Sequence, residues 1–117
     1  VIPSKRKYYI KFNDEEIKEL RKYLALMEME CHALDKQLHS SHDKTMRVLI
    51  GAKDQISCNH RQFLYLLHIL KFFLVKEFKS AIPNKIEINK LRNYLTVLAQ
   101  EDLRTSKKIM KLMGDVI

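Results

Sequence analysis

Apolar positions recur along this chain at helical spacing, and they are densest over residues 63–78, FLYLLHILKFFLVKEF, where twelve of sixteen residues are apolar or aromatic. A helix apolar on nearly every side needs neighbours around it, because one neighbour covers only one stripe. The run falls short of the roughly 20 apolar residues that span a bilayer, and it is interrupted by His68, Lys71, Lys76 and Glu77. It is expected to be a buried hydrophobic third helix over 60–81. Asn59 stands as its cap and Gln62 at the capping-box position. Pro83 ends it, since the residue before a proline avoids the helical region.

The other elements follow from the same periodicity. Ile17, Leu20, Leu24, Met27, Cys31, Leu34 and Leu38 alternate at spacings of 3 and 4 and predict a first helix over 14–39. Asn13 and Glu16 form its capping box, and Phe12 with Ile17 a hydrophobic staple. The pattern loses phase over His39–Asp43 and resumes in another register with Met46, Leu49, Ile50 and Ile56, which predicts a second helix over 42–56. Gly51 either weakens that helix or permits a close approach to it. A fourth helix over 86–115 is read from Ile88, Leu91, Leu95, Leu98, Ile109, Leu112 and Val116, with a polar gap over 100–108 where it leaves the core or kinks. Tyr8, Tyr9, Ile10 and Phe12 favour extended structure, but no second strand is evident, so residues 1–12 read as a basic extended arm that packs across the bundle or is ordered by a partner, against the simpler reading of a solvated arm.

The expectation is an all-α protein: a four-helix bundle, mostly antiparallel because its joints are short, occupying 13–117 as a single domain. A three-helix bundle with one long kinked helix is the alternative. Composition agrees, since two glycines and two prolines in 117 residues leave little turn vocabulary for a sheet. Cys31 and Cys58 have no metal-type spacing and read as free thiols in a reducing, intracellular compartment. The absence of an apolar run behind Lys5, Arg6 and Lys7 argues against a secretory signal, and those three residues point to the nucleus. The start without methionine and the apolar end suggest an excised fragment of a longer protein.

The formal charge is +8, an argument about solubility and non-specific attraction rather than about a site. No Gly-rich phosphate loop, HExxH or GxSxG is present, and the chain is read as a non-enzyme without cofactor. Glu28, His32, Asp35 and His39 share one side of the first helix at spacings that suit a divalent metal, but a solvated face explains them as well, and no metal is expected. Cys58 and His60 sit at a helix N-terminus, where a thiol can be activated. A free structural cysteine is the preferred reading.

Function is read as a protein–protein interaction or assembly module. Met110, Met113 and Val116, with Leu26 and Met29 off the main seam, are the expected partner surface, through a helix-in-groove contact, completion of the bundle or self-association. The alternative is a nucleic-acid-binding helical domain using Lys5, Arg6, Lys7, Lys71 and Lys79. On a helical projection Arg61, Tyr65, His68, Lys71, Lys76 and Lys79 fall on one side of the third helix with Leu64, Phe72 and Val75. Cover by a neighbouring helix is preferred there to an exposed basic and aromatic surface. A metal- or thiol-dependent enzyme ranks third.

Overall fold

The computed structural model describes residues 7–30, 36–102, 107 and 111, with side chains throughout except at 30 and 36–41. The protein is mostly helical, with a small two-stranded sheet. In chain order the elements are β1 (Lys7–Lys11), α1 (Asp14–Glu30), α2 (Lys36–Gly51), β2 (Gln55–Asn59), α3 (His60–Phe78) and α4 (Lys85–Ala99). They fall into two compact units, Val1–Ile69 and Leu70–Ile117, with the division inside α3.

The first unit departs most from the helical expectation. β1 pairs antiparallel with β2 in a register that sets Tyr8 opposite Cys58 and Ile10 opposite Ile56. Both strands alternate exposed and buried positions, so Tyr8, Ile10, Ile56 and Cys58 all face inward. An isolated two-stranded ribbon is marginal in water, and burial of this face stabilises it. Tyr8 stacks flat on Phe63 of α3, with ring centroids 4.1 Å apart, and its hydroxyl meets His60 Nδ1 at 2.9 Å. The arm is thus packed extended into the core over 7–12, where Tyr8, Ile10 and Phe12 are buried; the corrections are that it has a strand partner and is not solvated there. The partner strand, QISCN, is not legible in the sequence because two apolar residues in five carry almost no periodic signal.

Helix boundaries follow local chemistry. Asn13 Oδ1 accepts from Glu16 N–H and Glu16 Oε1 accepts from Asn13 N–H, which closes the capping box of α1. Asn59 and Gln62 do the same for α3. Ile17, Leu20, Leu24 and Met27 are buried as the seam requires. α1 is described to Glu30, and the expected remainder of helix 1 overlaps α2, which starts at Lys36 rather than 42. α2 also stops at Gly51 rather than 56, because Ile56 belongs to β2. A Cβ built on Gly51 meets nothing within 4 Å, so this glycine serves no close approach.

In the second unit α3 ends at Phe78, three residues earlier than expected. Leu70, Phe73 and Leu74 are buried on this part of it. α4 starts at Lys85 behind the Asn84 cap, whose side chain accepts from Ile86 and Glu87 N–H. Ile88, Leu91, Tyr94, Leu95, Leu98 and Ala99 form its buried stripe. It ends at Ala99, with Gln100 at the C-cap, at the polar gap where a kink was expected; of the stretch from 103 to 115 only Lys107 and Lys111 are described, and both are helical. Gln100, Glu101 and Asp102 follow, and they offer no apolar surface to continue the stripe.

Two outcomes test this account by urea unfolding. Ile56→Ala is expected to lower stability by about 2–4 kcal/mol, whereas Tyr9→Ala, on the exposed face of the same ladder, changes it by less than about 1 kcal/mol. Gly51→Ala, at negative φ in open space, is expected to raise stability by about 0.4–1 kcal/mol.

Candidate functional site: a buried histidine and the open side of α3

Two places in the described residues combine polar chemistry with an unusual environment. The first is His42, carried by α2 and buried to 2% exposure. Its Nδ1 lies 2.7 Å from the Tyr65 hydroxyl of α3, and the two rings meet edge to face at 5.7 Å. Its Nε2 has no hydrogen-bond partner among the described residues, and a carboxylate oxygen, Glu28 Oε2 of α1, stands 3.6 Å away. A buried nitrogen left so is costly, and a modest turn of the exposed Glu28 side chain would bring its carboxylate into hydrogen-bond range. His42 therefore links α2 to α3 directly and faces α1 through a carboxylate. No sequence signal announced this group, because its members are separated in the chain and Tyr65 was placed on the less apolar side of the helix, whereas it is buried.

Of the four residues of the metal constellation only Glu28 has a described side chain. Glu28 faces His42, His32 and Asp35 lie outside the described residues, and so does the side chain of His39. Among the described residues no group of three or more His, Cys, Asp or Glu is arranged to hold a metal ion. Cys31 is also outside them. Cys58 is buried on the inner face of β2, and burial pushes its thiol up from 9.0 to about 11. This contradicts activation at the start of α3, because desolvation disfavours the thiolate. His60 is occupied by the Tyr8 hydroxyl.

The second place is the outer side of α3. Arg61, Leu64, His68, Lys71, Lys76 and Lys79 are exposed, and Phe72 and Val75 are half-buried. At 100° per residue these eight positions share one side. Phe63, Leu66, Ile69, Leu70, Phe73 and Leu74 occupy the other and are buried. The expectation of a helix covered all round is thus corrected: Leu64 keeps 42% of its surface exposed. The open side carries four Lys or Arg residues, His68 and the apolar Leu64, Phe72 and Val75, but no acid. The single carboxylate of α3, Glu77, is half-buried and accepts from Asn84 N–H at 2.7 Å.

The remaining expected contact residues divide cleanly. Lys71 and Lys79 lie on that open side, and Lys7 is exposed on β1. Met29 is 70% exposed on α1 and Leu26 is half-buried. Lys5, Arg6, Met110, Met113 and Val116 lie outside the described residues. No helix among the described residues is long and apolar enough to cross a membrane. No family model, curated protein or solved structure matches this chain.

The Cys58 environment carries a pH dependence. Between pH 9 and about 11 the unfolded chain releases the thiol proton before the folded chain does, so this group's contribution to stability is present below 9 and declines across that window. The stability difference between wild type and Cys58→Ala is expected to shift against the wild type over this range in urea titrations. Alkylation of Cys58 by iodoacetamide at pH 8 is expected to be slow in buffer and rapid in denaturant.

Proposed function

We propose that this protein is a non-enzymatic interaction module that receives an acidic, amphipathic helix of a partner protein along the open side of α3. The four-helix bundle expected from the sequence belongs to the same proposal. The observation that carries it is the composition of that side: Leu64, Phe72 and Val75 offer apolar contact, and Arg61, His68, Lys71, Lys76 and Lys79 surround them without an acid. A partner helix with apolar residues at i, i+3 or i+4 and carboxylates beside them complements both features. Met29 and Leu26 on α1 are retained as a further apolar contact. A second reading, binding of a nucleic-acid backbone, is favoured by the same lack of carboxylates, but phosphates gain nothing from Leu64 or Val75.

A photo-crosslinking amino acid placed at 68, and for comparison at the exposed Ile50 of α2, tests this in cell extract. Position 68 is expected to yield a discrete protein adduct through an acidic peptide. The adduct survives nuclease and falls roughly tenfold with Lys71→Glu and Lys79→Glu together, because charge reversal at an interface costs association. An adduct that disappears with nuclease establishes the nucleic-acid reading instead. Equal adducts from 50 and 68 overturn the assignment of the surface.

A further inference from the structure

The turn between α3 and α4 displays apolar side chains that its own hydrogen bonds hold in place. Ile82 is 87% exposed and Ile86 69% exposed, the first in the turn and the second in the opening turn of α4. Ala81 and Pro83 between and beside them are exposed too. Leaving two isoleucines in water while the backbone around them is fastened is unusual in a soluble surface turn, where polar residues prevail.

The fastening is specific. Lys79 N–H donates to Val75 O and Ser80 N–H to Glu77 O, which finish α3. Ser80 Oγ donates to Ile82 O at 3.4 Å. Asn84 N–H donates to Glu77 Oε1, and Asn84 Oδ1 in turn accepts from Ile86 and Glu87 N–H. Glu77 is thereby turned to the backbone of Asn84. The charged residues exposed around the isoleucines are Lys79 and Lys85; residues 80–86 include no acid, and Glu87, which follows them, is half-buried.

We propose that this turn is a peripheral membrane contact, in which Ile82 and Ile86 enter the interface of an anionic bilayer while Lys79 and Lys85 meet its headgroups. The charge decides the occupant. A bilayer interface accepts aliphatic side chains in any arrangement and rewards lysines beside them through its negative surface potential. A nucleic acid would use the lysines and leave both isoleucines in water. A protein partner would draw on aromatic or arginine anchors, which dominate such contacts, and residues 80–86 contain neither. The contact is reversible and superficial, since two side chains supply less apolar area than one acyl chain and a single myristoyl group already binds only marginally. It adjoins the proposed partner-helix surface on the open side of α3 and shares Lys79 with it, but Ile82, Lys85 and Ile86 belong to the turn and α4 alone.

Sedimentation of the full chain with phosphatidylcholine vesicles, with and without phosphatidylserine, tests the proposal. Binding is expected to vesicles containing phosphatidylserine and to be much weaker without it. Ile82→Asp and Ile86→Asp are each expected to reduce the partition coefficient roughly tenfold, and Lys85→Ala about fivefold, with the thermal midpoint unchanged because these side chains are exposed. Lys71→Ala, away from the turn, is the comparison and is expected to change partitioning less than Lys85→Ala. No binding to either vesicle overturns the proposal. Binding that survives the double isoleucine change also overturns it, since attraction by general positive charge then suffices. If the isoleucine changes abolish vesicle binding but leave the crosslink from position 68 intact, the two surfaces are independent.

Discussion

The pairing of β1 with β2 is the interaction on which the first unit depends. Five residue pairs bring a stretch with one proline and several basic residues beside it into register with the connection between α2 and α3. The ladder is too short to be stable alone. Its strength comes from what the pleat does to alternate residues: every second side chain turns inward, and Tyr8, Ile10, Ile56 and Cys58 become core. Tyr8 then serves both sides of the balance, burying its ring against Phe63 while its hydroxyl is satisfied by His60. The same inward turn that places Cys58 opposite Tyr8 takes its thiol out of water and makes it chemically quiet.

α3 is built from the same ladder outward. Because β2 runs directly into it, the Asn59–Gln62 capping box closes the last residue of a strand onto the first turn of a helix, and the rotational setting of α3 follows. With Phe63 committed to Tyr8 and Tyr65 to His42, the side carrying Arg61, Leu64 and His68 has to face away. The open basic side is thus a consequence of inward contacts, and its apolar members are exposed because the helix has more apolar residues than inward positions.

What could be read from the sequence was local. The capping boxes at Asn13 and Asn59, the buried seam of α1 and the stripe of α4 up to Leu98 all rest on residues three or four apart, and they form as their spacing implies. The strand pair and the His42–Tyr65 contact join residues far apart in the chain, and no periodicity encodes which distant segment will be a partner. The basic residues of α3 were recognisable as a set, but their exposure depended on whether another helix covered them. Glu28 has helical spacing to His32, yet its described neighbour, His42, comes from a different helix.

Tyr8 and His60 are 52 positions apart, and α1 and α2 both lie within the loop that their contact closes. Closing a long loop loses chain entropy before any contact compensates for it, whereas helices gain their bonds one turn at a time. This inequality favours an order of assembly in which α1 and α2 shorten the intervening chain first and the ladder closes around them afterwards, and by that argument the clasp of Tyr8 on Phe63 and His60 is expected late in folding. The arm therefore acts as a latch on a structure that its own absence would leave open, and the interior thiol at position 58 is sealed only when that latch arrives.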